Sequence, residues 1–369
     1  MLILFATVIL AALALQWYFI RKAGDHSNIR YECRPSVRSC EPEEEFFVFS
    51  TVSNLGRRSS PVMRIEERFP KELNVLESEQ FNVRLISDDH RIYRSTVLAK
   101  RRQQVKRYLR ASISQRGEYR FSDADFHADD FLGFKEFSYR MPNDRCVVIY
   151  PPLIENADFL KAFTNAADEI ARRKQLLEDP LSVCGYRDYT GREPMRQISW
   201  TQSAVRSSLI VKQYDPVWQQ SVLIALDMQF HGQYDLHYKR QELCFSIART
   251  VCDVLEDRGI GYSLITNAII TEGLSRFTST GGRGGSYQKI LYALGAAKNG
   301  EVCSVEELMR AVCAEAGGHN TIVFISTRKD RFVAAALDKA KLLTGGEILP
   351  IFADSLLPDE TAPEGRAKA

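Results

Sequence analysis

Arg187, Arg196 and Arg206, three of the four arginines between 187 and 206, crowd one short stretch of this chain together with two acids, Asp188 and Glu193, and two serines, Ser199 and Ser203, that flank Trp200. Guanidinium groups are planar forks of donors that grip a carboxylate or a phosphate through paired hydrogen bonds, so the cluster has the chemistry to hold an anionic ligand or an acidic partner surface. A second reading needs no ligand. The arginines pair with Asp188, Glu193 and neighbouring carbonyls, Trp200 fills a pocket, and the whole stretch is an arm fixed against the domain that follows. A third treats the arginine, aspartate and serine residues of 187–208 as a hydrolase site. It lacks the G-x-S-x-G elbow that exposes a serine nucleophile.

Other chemistry is sparse. The six histidines, at 26, 90, 127, 231, 237 and 319, show neither H-x-x-x-H nor H-E-x-x-H spacing. His127, Asp129 and Asp130 stand too close together to encircle a cation alone, and the turn at 129–134 reads better as aspartates capping backbone amides. The glycines at 281, 282, 284 and 285 precede a helix but match neither G-x-x-x-x-G-K-[ST] nor G-x-G-x-x-G, so they read as a connector. Eight cysteines are scattered without a C-x-x-C pair. Most sit in apolar surroundings, where free cysteine behaves as a small hydrophobe. Cys33 and Cys40 would pair only in an oxidising compartment.

These residues must be positioned by a chain of 369 residues, for which two domains are the soft expectation. An apolar content of 45% and a charged content of 26% are those of a globular protein, and a net charge of +2 gives no reason to invoke nucleic acid. Residues 2–20 carry no charge, Trp17 and Tyr18 stand at one end, and Arg21 and Lys22 follow at once. Nineteen helical residues rise roughly 29 Å, close to the thickness of a bilayer core, so residues 1–22 are expected to be a single-pass transmembrane anchor. The positive flank is C-terminal, at Arg21, Lys22, Arg30, Arg34 and Arg38, which places the bulk of the chain in the cytoplasm and the protein at the cell membrane. The alternative is a secretory leader cleaved after Ala14, but no basic segment precedes the apolar run.

Residues 29–150 alternate short β-prone runs with turns, at 45–53, 63–69, 81–86, 93–98, 106–113 and 119–121, as an antiparallel β-sandwich-like domain would. The basic triplet 100–102 reads as a solvated hairpin tip. Residues 153–183 form a connecting helix that ends at Asp179-Pro180. Residues 184–354 alternate strand and helix, with strands at 221–226, 262–266, 320–326 and 348–352 and helices at 238–257, 287–297, 305–315 and 332–343. That alternation implies a parallel sheet covered on both faces. The polar tail 355–369 is expected to be disordered.

Gly185, Arg187, Asp188, Tyr189, Arg196, Ile198, Trp200, Ser203, Ala204, Leu209, Val211 and Lys212, followed by an apolar strand that ends in Asp227, resemble the signature of the DUF58 family. Asp130-Phe131-Leu132-Gly133-Phe134 is similar to that family's D-x-F-G-L-F element upstream. Anchor, β region and α/β domain also come in the family's order. The resemblance implies a von Willebrand factor A-like, doubly wound α/β domain and a MoxR-type AAA+ ATPase as partner. It also brings two departures. Thr190-Gly191-Arg192-Glu193-Pro194 stands where the family carries Gly-Asp, so either Glu193 takes over the acidic role or the role is absent. A metal-ion-dependent adhesion site in this fold needs D-x-S-x-S, because one carboxylate and two hydroxyls make half an octahedral Mg²⁺ shell. Here Asp227 is followed by Gln229 and His231 in the serine places, so the standard metal site is expected to be missing and Asp227 to cap the segment after it.

The expectation drawn from all of this is a membrane scaffold or adaptor without a cofactor, acting through protein–protein contacts. Arg187, Asp188, Tyr189, Arg196, Trp200, Arg206 and Asp227 are its partner-binding or structural motif. The rival readings are the hydrolase and a secreted or periplasmic assembly factor, and no small-molecule ligand can be named.

Overall fold

A computed structural model of the chain describes residues 2–24, 28–57, 59–77, 83–86, 90–129, 136–175, 183–191, 193–214, 222–229, 234–270, 277–278, 286–316, 321–327 and 329–356. The chain divides into two compact units, Met1–Pro152 and Leu153–Ala369, and its overall class is mixed α/β.

The first unit opens with the helix Leu2–Gly24, on which Phe5, Val8, Leu10, Leu13 and Trp17 are exposed. Among the described residues no helix is long and apolar enough to cross a membrane, so the fold does not show the expected span. Two antiparallel sheets follow. One runs Ile29–Pro35, Phe46–Asn54, Gln104–Ser112, Asn74–Glu77 in spatial order; the other runs Glu136–Met141, Ala124–Asp129, Met63–Pro70, His90–Val97, Val83–Ile86. Strand alternation decides which side chains go inside. Phe46, Val48 and Val52 point inward from one strand and Met63, Ile65 and Phe69 from another, so Val52 of one sheet shares a core cluster with Met63 and Ile65 of the other. This is the β-sandwich-like arrangement anticipated for 29–150. A small third sheet, Ser39–Cys40, Arg145–Ile149 and Gly117–Phe121, adds Phe121, which packs edge-on to Phe69 at 5.8 Å. Cys33 and Cys40 are both buried free thiols, not a disulfide.

One inward position in each sheet holds a charge. Glu67 and Arg107 are in phase with their strands' core residues and form a buried ion pair at 3.1 Å. Tyr31 Oη donates to Glu67 at 2.8 Å, Arg107 Nη2 donates to Ser50 Oγ at 2.6 Å, and Ser50 Oγ in turn donates to Glu67.

The second unit begins with the helix Ala157–Gln175 and is built on a five-stranded sheet. Its order is Phe277–Thr278, Tyr262–Thr266, Val222–Leu226, Thr321–Ser326, Glu347–Phe352, parallel except at the two-residue edge strand Phe277–Thr278. Val222–Leu226 is buried along its whole length, which is why it reads as an unbroken apolar run. Val222, Ile224 and Leu226 face a core shared with Phe245, Val251 and Leu255 of the helix Tyr234–Asp257 and Phe163 of the first helix. Leu223 and Ala225 face the opposite core, under the helices Val305–Glu315 and Arg331–Thr344. The sheet is therefore covered on both faces. Gly345 ends the last helix at a φ of 61°, the left-handed turn that a residue without Cβ adopts at little cost. Two short strands were not readable from the sequence: Phe277–Thr278, and Lys298–Glu301, which pairs with Ala268–Ile269 where the sequence suggests a short extra strand at 269–271. Strands of two to four residues carry too few side chains to show a period.

Candidate functional site

The arginine stretch folds into a two-stranded antiparallel hairpin, Val183–Asp188 with Ile210–Tyr214, and the loop between them carries the short helix Trp200–Arg206. Several bonds hold the loop to the hairpin. Tyr189 N donates to Leu209 O at 2.9 Å and Ser199 N to Ile210 O at 2.8 Å. Ser203 is buried, and its Oγ accepts from Ile210 N at 2.8 Å. Ser207 turns the chain back into the second strand from a left-handed conformation.

Glu193 organises the front of this arm. It accepts from Arg187 Nη1 at 2.6 Å, from Thr190 N at 3.0 Å and from Thr190 Oγ1 at 2.8 Å. These bonds, those from Thr190 first, pull its carboxyl down to about 2, so it is ionised at any physiological pH. Among the described residues, Arg187 is the one of these three arginines that is brought to an acid. Arg196 and Arg206 are exposed and have no ion-pair partner among the described residues. Asp188 is exposed in the hairpin opposite Ile210, and Tyr189 is half-buried beside it. Trp200 does not fill a pocket, which corrects the purely structural reading of the arm: it is 60% exposed, with Met195 at 69% and Val205 at 77%. The physical reason is that Ser203 and Ile198 take the inward positions of the loop, which leaves the large apolar side chains outside. Of the serines offered as nucleophiles, Ser199 and Ser203 are both buried.

Asp227 lies elsewhere in the unit, at the carboxyl end of the first central strand. It is fully buried and its oxygens are occupied. Oδ1 accepts from Asn267 Nδ2 at 2.8 Å and from Gln229 N at 3.1 Å, and Oδ2 accepts from Ser326 Oγ at 2.9 Å. The neighbouring backbone is tied in the same way. Asn267 Oδ1 accepts from Met228 N at 2.7 Å, Gln229 Oε1 from Val305 N at 2.7 Å, and Met228 O from Gln241 Nε2 at 2.7 Å. Thr327 Oγ1 donates to Gln229 O at 3.0 Å. Burial raises the Asp227 carboxyl to about 6 against these hydrogen bonds, with Glu301 adding a small like-charge push.

Gln229, in the place of the first serine of an adhesion site, thus braces the loop that enters the helix Val305–Glu315 rather than offering an oxygen to a cation. His231 lies outside the described residues, as do residues 130–135, the glycines 281–285 and the tail 357–369. Among the described residues no group of three or more His, Cys, Asp or Glu side chains could hold a metal ion.

Sequence reasoning missed Asn267, Ser326 and Gln241. The signal existed for the first two: Asn267 follows directly on an apolar strand, as Asp227 does, and Ser326 is the last residue of one. In a parallel sheet such positions converge at the carboxyl edge, where open α/β sheets place their sites.

No family model matches this chain, and no curated protein matches it. Several solved structures are similar at low level. A non-cellulosomal cohesin from the archaeon Archaeoglobus fulgidus is 9% identical, with 36% of this chain and 97% of that chain covered and a TM-score of 0.23. A type II cohesin domain from the cellulosome of Acetivibrio cellulolyticus is 11% identical, over 37% and 99%, at 0.23. The CARDB domain of the PF1109 protein from Pyrococcus furiosus is 10% identical, over 31% and 86%, at 0.19. Similarity this low carries neither fold nor activity across to this chain.

Proposed function

We propose that this chain is a membrane-anchored scaffold or adaptor of the DUF58 type, acting through protein–protein contacts with a MoxR-type AAA+ ATPase. In this reading residues 2–20 are a single-pass anchor, the bulk of the chain is cytoplasmic, and the second unit is a doubly wound von Willebrand A-like domain. Support for the family comes from the motif residues between Gly185 and Lys212 and from the apolar strand that ends in Asp227.

The observation that carries the adaptor reading is the solvent-facing Trp200, beside Met195 and Val205, on an arm pinned by Glu193 and Ser203. Large apolar side chains displayed on a braced element lose little entropy on docking, and tryptophan and arginine dominate the energetics of protein interfaces. Arg196 and Arg206 supply charge at the same arm. Power would come from the partner, since the chain has no G-x-x-x-x-G-K-[ST] phosphate loop of its own.

A mild-detergent affinity pull-down of the full-length protein, with ATP or a non-hydrolysable analogue, tests this by mass spectrometry. Enrichment of an AAA+ ATPase in the presence of nucleotide is expected. Clean recovery of the protein without an ATPase would contradict the reading.

A further inference from the structure

Far from the arm in sequence, the helices Val305–Glu315 and Arg331–Thr344 pack side by side on one face of the central sheet. Their inner sides, Val305, Leu308, Val312 and Val333 among them, are buried in the core beneath. Between their outer sides runs an open groove floored by Met309, Ala336 and Ala340 and walled by Phe332, Leu343 and Cys313. Alanines on the second helix leave the groove wide. Phe332 is 52% exposed and Leu343 66%, so apolar surface that a core helix would normally bury faces solvent.

The rim is charged and mostly of one sign. Arg310 and Lys339 line it, with no ion-pair partner among the described residues, together with one acid, Glu306, a turn before Arg310 on the same helix. Arg331, not itself a lining residue, stands beside the groove with its guanidinium 4.9 Å from the centre of the Phe332 ring.

We infer that this groove is a docking site for an amphipathic helix with acidic flanks, presented by a partner protein. A helix laid between two helices sets side chains at i, i+3, i+4 and i+7 into the apolar floor. Acidic residues on either side of that stripe meet Arg310, Lys339 and Arg331, and steer the approach. An extended strand would find no sheet edge between these helices, and a basic helix would be repelled by the rim. The inference stands apart from the arm and from the identity of the ATPase.

The test uses the full chain in nanodiscs and two fluorescein-labelled synthetic helices of identical leucine spacing, one flanked by glutamates and one by lysines. Anisotropy is expected to show the acidic helix binding at least ~10-fold more tightly at low salt, with the gap narrowing as salt screens the rim. Phe332→Asp should abolish binding, and the pair Arg310→Glu and Lys339→Glu should reverse the preference. These positions are exposed, and an unchanged melting curve establishes that the fold is kept. Trp200→Ala should leave peptide binding unaltered, which separates this site from the arm. Equal binding of the two helices, binding that survives Phe332→Asp, or no binding of either would each overturn the inference.

Discussion

Asp227 holds its carboxylate where water does not reach it, and the cost of that charge sets a pH dependence. Its folded pKa, about 6, lies above the ordinary aspartate value of about 3.9, so the folded state takes up a proton more readily than the unfolded state. The stability tied to this group is fully present below pH ~4 and is lost as pH rises through about 6, by an amount on the order of 3 kcal/mol. Asp227→Asn removes the titration but keeps an oxygen for Gln229 N and Asn267 Nδ2 and an amide that can donate to Ser326 Oγ. Denaturant unfolding at pH 4.5 and pH 7.5 should show the variant gaining on the wild type at the higher pH. A constant offset at both would remove the linkage. Glu67 and Arg107 behave differently, because each neutralises the other inside the sandwich. Glu67→Gln alone strands a buried guanidinium and is expected to destabilise by about 3–5 kcal/mol, whereas replacing both with apolar residues of similar volume should recover most of the loss. Equal losses in the single and double variants, read by denaturant unfolding, would contradict this.

At the scale of elements, the arm and the last long helix show two ways of fixing a segment. The arm has few buried apolar side chains and is held by polar bonds to Glu193 and Ser203. The helix Arg331–Thr344 is anchored by burial of Val333, Ala336 and Ala340 and closed at both ends. Asp330 accepts from Phe332 N at 2.9 Å and Val333 N at 2.8 Å, and Gly345 terminates it. Asp330→Ala should therefore cost about 1 kcal/mol and Asp330→Ser much less, because serine restores the cap. Amide hydrogen exchange of the first helical turn reports both: an alanine variant with unchanged protection would show that the cap is not what holds this end. Since this helix walls the groove, the alanine variant should also weaken docking of the acidic helix without touching a groove residue.

For the molecule as a whole, the sequence was legible where a period had room to show. Strands such as Phe46–Asn54 and Met63–Pro70 declared their inward faces by alternation, and Val222–Leu226 declared burial on both sides by having none. Glu67 and Arg107 were legible in the same pattern, as opposite charges in the apolar phase of two strands, but the alternation was read only for its hydrophobes. The edge strand Phe277–Thr278 was too short to read. At the site, Glu193 could be named from its place among arginines, because its bonds are local. Asn267 and Ser326 were legible only as polar residues at the ends of apolar strands, since it is the parallel register that brings them to Asp227. The exposure of Trp200 was misjudged because spacing in a seven-residue helix does not say which side a tryptophan takes.

The central claim, an adaptor that grips its ATPase through the arm, is tested most directly by a side-by-side nucleotide-dependent pull-down of the wild-type protein and Trp200→Ala. Trp200 is solvent-facing, so the variant should keep the wild-type melting curve while the co-purified ATPase falls by ~10-fold or more, as loss of an interface tryptophan entails. ATPase recovered equally with both proteins would contradict the account.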